Sequence, residues 1–89
     1  MKDIIFAAKF KKDIKFYQRK HVNLESFELV LYLLKHDIEL INKFKVHRLK
    51  GDLAGYMECH IKDDILLLYI DDVNSITLLR FASHDELFK

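Results

Sequence analysis

An α+β fold in the order β-α-α-β-β-β, with two helices on one face of a sheet that ends in an antiparallel meander, is predicted by three features of the sequence. Apolar residues recur at helical spacing from Phe10 to Leu34, three short apolar runs separated by polar breaks fill residues 56 to 82, and no proline interrupts either pattern. The first element, "DIIFAA", reads as a short strand. Phe10, Ile14 and Tyr17 then mark one face of a first helix, with Lys and Arg between them. Asn23 caps the next segment and Glu25 in its first turn complements the helix dipole. Leu24, Phe27, Leu31 and Leu34 form the stripe of this second helix, widened by Val30 and Leu33 so that it packs on the sheet and on the first helix. Beyond residue 36 the periodicity weakens, and "DIELINKFKVHRLKG" reads as an irregular connection that stops at Gly51. Gly51 and Gly55 are the places where the chain turns most freely. Residues 56 to 61, 65 to 70 and 75 to 82 are the three last strands, joined by the hairpin breaks "KDD" and "DDVN". "ILLLYI" is apolar on both faces, as a central strand requires.

Composition bounds the class. With 51% hydrophobic and 33% charged residues and no long block of like charge, the 89-residue chain can bury one core, so a single globular domain over 1–89 is expected. Its longest apolar run is far shorter than the roughly 18 residues that span a membrane, and no signal-peptide pattern opens it. A cytoplasmic protein with no membrane association is expected. One cysteine, Cys59, rules out an internal disulfide. The net charge of +1 conceals an asymmetry: Lys and Arg outnumber Asp and Glu 12 to 6 in residues 1–51, whereas they are outnumbered 3 to 8 in residues 52–89. Lys9, Lys11, Lys12, Lys15, Arg19 and Lys20 could therefore meet phosphate, although lysines on an outer helix face are also ordinary.

Period-two geometry identifies a candidate site. In an extended "YMECHI", Tyr56, Glu58 and His60 share one face while Met57, Cys59 and Ile61 share the other. The second set joins the core, leaving a polar sheet face with a carboxylate beside an imidazole. Titratable groups on a packed sheet are costly without partners, which favours a functional reading for Glu58, His60 and His84 together. The bland readings stand elsewhere: His21 and His36 are helix-end cations, Cys59 is a small core residue, a lone loop histidine such as His47 is ordinary at a surface, and Asp63 and Asp64 suit a turn.

"HRLKG" at 47–51, "ECHIKDD" at 58–64, "LLLYI" at 66–70 and "RFASHDELF" at 80–88 resemble, in this order, the YafQ branch of the RelE-like bacterial toxins. That resemblance implies the toxin of a type II toxin–antitoxin pair, an endoribonuclease that cuts messenger RNA in the ribosomal decoding site, and a cognate antitoxin as its partner. It also implies His47, His60, Asp64 and His84 as catalytic residues and Glu58, Arg80, Phe88 and Lys50 as substrate-binding ones. The sequence departs from the family at Asp63, where proline is frequent, and at Ala82, where glycine is usual. The first departure bears on how the hairpin presents Asp64, the second on the approach to His84.

The chemistry suits this set without a cofactor. RNA cleavage by the ribose 2′-hydroxyl needs a base at that oxygen, an acid at the departing 5′-oxygen and cations or donors at the phosphoryl oxygens. Imidazole serves either proton role near neutral pH, each role worth roughly 100 to 10,000-fold in rate. By this reading His84 is the acid, Asp64 or His60 the base, and His47 positions the phosphate. Arg80 would complement its charge, Glu58 would orient His60 or Arg80, and Phe88 would stack on a base or pack below His84. Two rivals from other classes are a metal-binding module using Cys59, His60, His47 and His84, and a non-catalytic RelE-fold domain that binds only protein or RNA. The first is weakened because Cys59 and His60 point to opposite faces of one strand.

Overall fold

The computed structural model describes residues 1–88. One five-stranded sheet, in the order β1-β5-β4-β3-β2, is built from β1 (Asp3–Phe6), β2 (His47–Arg48), β3 (Met57–Lys62), β4 (Ile65–Asp71) and β5 (Ser75–Ser83). The three long strands form the antiparallel meander expected, and β1 lies parallel to β5 at one edge, which makes the sheet mixed. Helices α1 (Ala8–Arg19) and α2 (Glu25–Lys35) cover one face.

The core between them forms where the periodic apolar residues meet. Phe10 from α1 and Phe27, Val30 and Leu34 from α2 are buried with Cys59, Ile61, Leu67, Tyr69, Ile76, Leu78 and Phe81 from the sheet. Phe81 is its hub, with ring centroids 5.2 Å from Phe27, 5.4 Å from Tyr17 and 6.3 Å from Phe10. A strict alternation from Ile76 and Leu78 would have put Arg80 inward and Phe81 outward. A bulge prevents it: Leu68 faces Arg80 and Tyr69 faces Leu78, so Leu79 is the extra residue and the phase of β5 reverses.

Both long helices end without glycine. After α1, the Val22 N–H bonds the Tyr17 carbonyl and the His21 N–H that of Gln18, and after α2 the same pair of bonds runs from Ile38 to Leu33 and from Asp37 to Leu34. These closing turns place His21 (φ 57°) and Asp37 (φ 56°) in the left-handed region, which His and Asp tolerate better than most residues. At the start of α2 Leu24, not Asn23, holds the N-cap position; the Asn23 Oδ1 accepts the Glu25 N–H at 2.8 Å as a turn just before it.

Three features correct the sequence reading. The connection after residue 36 is not irregular throughout: it holds a 3₁₀ turn at Asn42–Phe44, the two-residue strand β2, and a second 3₁₀ turn at Gly51–Leu53. Strand β2 exists because it pairs with β3, a tertiary cause that its own two residues cannot announce. A short helix α3 (His84–Phe88) follows β5. Finally, the face carrying Glu58 and His60 is not simply polar. Cross-strand partners share a face, and Leu66, Leu68 and Ala82, which lie in the rows of His60 and Glu58, are all buried.

Candidate active site

Register assembles the site from separate parts of the chain. One row across the sheet runs His47, Glu58, Leu68, Arg80, and the next runs His60, Leu66, Ala82. His47 reaches its row through the β2–β3 hairpin, whose loop turns at Gly51 (φ 69°) and Gly55 (φ 96°) and is closed by the Leu49 N–H on the Tyr56 carbonyl. The Glu58 side chain is only 5% exposed, and its Oε1 accepts the His47 Nε2 hydrogen at 3.0 Å. The His60 Nε2 lies 3.9 Å from the same oxygen, and the two imidazole centroids are 6.4 Å apart. A carboxylate can only accept, so the His47 Nε2–H is the donor of this contact. One buried carboxylate thus orients the half-open His47 imidazole and faces that of His60 without bonding it.

A second group gathers at the β3–β4 hairpin end of the meander, just beyond the His60 row. Ile65 faces Ser83, so Asp64, one residue before it in the Asp63–Asp64 turn, and His84, one residue after Ser83, occupy neighbouring positions across β4 and β5. Asp63 holds φ 48°, a conformation closed to proline, so this hairpin differs physically from one with proline there. His84 opens α3 under a reciprocal cap: the Ser83 Oγ accepts the Glu86 N–H at 3.2 Å and the Glu86 Oε1 accepts the Ser83 N–H at 3.3 Å. The signature Ser-x-x-Glu at 83–86 announces this cap in the sequence. Phe88 folds back against His84 with ring centroids 4.9 Å apart and the rings tilted at 48°, so it packs beside the imidazole, one of its two expected placements. The Tyr17 hydroxyl donates to Glu86 over a long 3.4 Å. Its pKa is raised by burial first, then by Glu86, Asp64 and Asp13, which brings the hairpin tip and α3 to the same end of α1.

Arg80 lies in the row of Glu58, two strands away, and its partner is different. Its Nε donates to the Asp13 Oδ2 at 2.7 Å and its Nη2 to the Asp13 Oδ1 at 3.2 Å, so Glu58 orients His47 and faces His60 but does not hold Arg80. Asp13 was not among the expected residues. It lies between Phe10 and Tyr17 on a helix that reads as a Lys-rich solvent face, and only the position of β5 shows what it meets. Lys50 is exposed beside Gly51, at the mouth of the β2–β3 loop.

Among the described residues, His47, Glu58 and His60 are a group able to hold a metal ion, with donor atoms all within 4.8 Å of one another. Cys59 has no part in it, being fully buried on the opposite face, where desolvation pushes its thiol up to about 12.

The family described as the bacterial toxin of the type II toxin–antitoxin system, YafQ, matches residues 2–89. The chain belongs to the YafQ family. It is 27% identical over 88 residues to the mRNA interferase toxin YafQ of Escherichia coli strain K12, covering 98% of this chain and 96% of that relative. A metal-bound toxin from Helicobacter pylori shares its structure with a TM-score of 0.90 and 38% identity, covering 99% of this chain and 100% of the other. The E. coli DinJ–YafQ toxin–antitoxin complex matches with a TM-score of 0.89 and 27% identity over 99% of this chain and 98% of that one. No helix among the described residues is long and apolar enough to cross a membrane.

Proposed function

We propose that this chain is a cytoplasmic messenger RNA endoribonuclease, neutralised by a cognate antitoxin, that inhibits translation by cutting transcripts in the decoding site of the ribosome. Membership of the YafQ family and the name of its E. coli relative support the activity. The observation that carries the site is the buried Glu58 carboxylate between the His47 and His60 imidazoles. On this reading His60 or Asp64 takes the 2′ proton, the 2′-oxygen attacks phosphorus, and the bond to the 5′-oxygen breaks as His84 delivers a proton to it. His47, Arg80 and Lys50 meet the phosphoryl oxygens and Phe88 supports His84 by packing against its ring. Preorganised donors of this kind act where charge develops. The test is cleavage of a defined transcript, free and on programmed ribosomes, by the wild type and by His60→Ala and His84→Ala. Cutting by the wild type on the ribosome, with either variant slower by roughly 100 to 10,000-fold, is expected. Equal rates for all three would reject the assignment.

A metal-bound form is a second reading, favoured by the three convergent donors of His47, Glu58 and His60. The donor set fits zinc or copper. Because an imidazole nitrogen bound to metal has no lone pair for a proton, such a metal would oppose the acid–base role of His60. Zinc added to the nuclease should therefore inhibit it, and a chelator should restore it. Activation by zinc would reverse this reading and make the metal part of the chemistry.

A further inference from the structure

We infer that Asp13 is a positioning residue for cleavage: from α1 it clamps Arg80 so that one free edge of the guanidinium faces the transferring phosphoryl group, an inference that rests on the nuclease reading above. The clamp begins with a gap in the sheet. Strand β1 accompanies β5 only as far as the pair Phe6 and Leu78, so the backbone of β5 beyond the bulge has no strand on that side. An N–H left there would lack a partner, and the Asp13 Oδ2 accepts the Phe81 N–H at 2.9 Å. The same oxygen accepts the Arg80 Nε at 2.7 Å, and Oδ1 accepts Nη2 at 3.2 Å. One carboxylate thus pins the backbone of residue 81 and the side chain of residue 80 together.

The geometry of guanidinium gives this arrangement its consequence. Arg carries five N–H donors in a rigid plane and can bind an oxyanion along its Nε/Nη2 edge or across its Nη1/Nη2 end. Asp13 takes the Nε/Nη2 edge, which leaves the Nη1/Nη2 end as the fork available to phosphate and fixes the plane in which it is offered. A free arginine would have to lose its rotamer freedom during the reaction, whereas the clamped one has lost it on folding. Asp13 also lies at the root of the segment that leads to His84, since Phe81, held by its N–H, is only three residues before it. An Asn in its place keeps one oxygen for the Phe81 N–H, so the backbone anchor survives in that variant and the loss is confined to the Arg80 fork.

Asp13→Asn is the discriminating variant, because an amide nitrogen placed opposite Nη2 opposes donor to donor and breaks the fork while preserving shape. Single-turnover cleavage on programmed ribosomes should fall roughly 10 to 100-fold in kcat with KM nearly unchanged. The double variant Asp13→Asn/Arg80→Ala should cut no more slowly than Arg80→Ala alone, within about twofold, since Asp13 acts through Arg80. Wild-type protein should also show one Arg Nε–H correlation in ¹H–¹⁵N spectra that exchanges slowly with water. That signal decides the matter if Asp13→Asn fails to fold. Wild-type kcat in Asp13→Asn, multiplying losses in the double variant, or rapid exchange at every Arg Nε in the wild type would overturn the inference. A wild type that cuts no RNA would instead overturn the nuclease reading, and the positioning role with it.

Discussion

At the scale of single residues, the chemistry rests on side chains held by few partners. Glu58 is the clearest, with its side chain 5% exposed and one oxygen in contact with two imidazoles. Glu58→Gln keeps its volume but removes the charge and one acceptor. Cleavage should fall roughly 10 to 100-fold, as when an orienting partner of a reactive imidazole is lost, while the thermal midpoint should not drop, since a buried neutral amide costs less than a buried carboxylate. An unchanged rate would show that Glu58 orients nothing that reacts. Cys59 makes the opposite case, a reactive type made inert. Its thiol pKa is pushed up to about 12 by burial, with Glu58 adding to it, against about 8.5 in an unfolded chain. The folded pKa lies above the unfolded one, so this contribution to stability is whole below pH about 8.5 and is lost as the pH climbs towards about 12. Native protein should resist iodoacetamide at pH 8, and Cys59→Ala should flatten the alkaline fall of stability by up to about 1.4 kcal/mol per pH unit. Rapid alkylation of native protein at pH 8 would show that Cys59 is open. Alternation along "YMECHI" was enough to put Glu58 and His60 on one face and Cys59 on the other. Nothing local marked Asp13, because its partners are 67 and 68 residues away.

At the scale of elements, the sheet and two long helices were legible because each carries its own period: alternation with turn residues in the meander, and the stripes of Phe10 to Tyr17 and Leu24 to Leu34 in the helices. The missing elements were those made by context. Strand β2 depends on pairing with β3, and the inward turn of Phe81 depends on the bulge at Leu79, so neither follows from a local pattern. Helix α3 was legible in principle, from Ser83 and Glu86. Ser83→Ala removes that cap and should cost about 1 kcal/mol, chiefly in the docking of α3. Amide exchange should quicken in residues 85 to 88 while the meander stays protected, and cleavage should slow because His84 loses its fixed place. Unaltered exchange in α3 together with full activity would show that the reciprocal cap holds nothing of importance.

At the scale of the whole molecule, the two halves of the chain differ in charge, 12 cations to 6 anions in residues 1–51 against 3 to 8 in residues 52–89. The exposed lysines and arginine of α1 belong to the basic half, and the histidine rows to a sheet built mostly from the acidic one. An antitoxin that covers both should associate more slowly and bind more weakly as salt rises, since exposed charges are screened over roughly 8 Å at physiological ionic strength. An affinity flat in ionic strength would remove charge from its recognition. Membership of the YafQ family points to one activity, the cutting of messenger RNA, and the proposal gives that chemistry to the histidine rows around Glu58 and to His84. Mapping new transcript ends after induced expression in a bacterium tests it. Fresh 5′ ends within translated regions, in frame with the codons, are expected for the wild type and should vanish with His84→Ala. Unaltered transcript ends and undisturbed growth on expression of folded wild-type protein would contradict it.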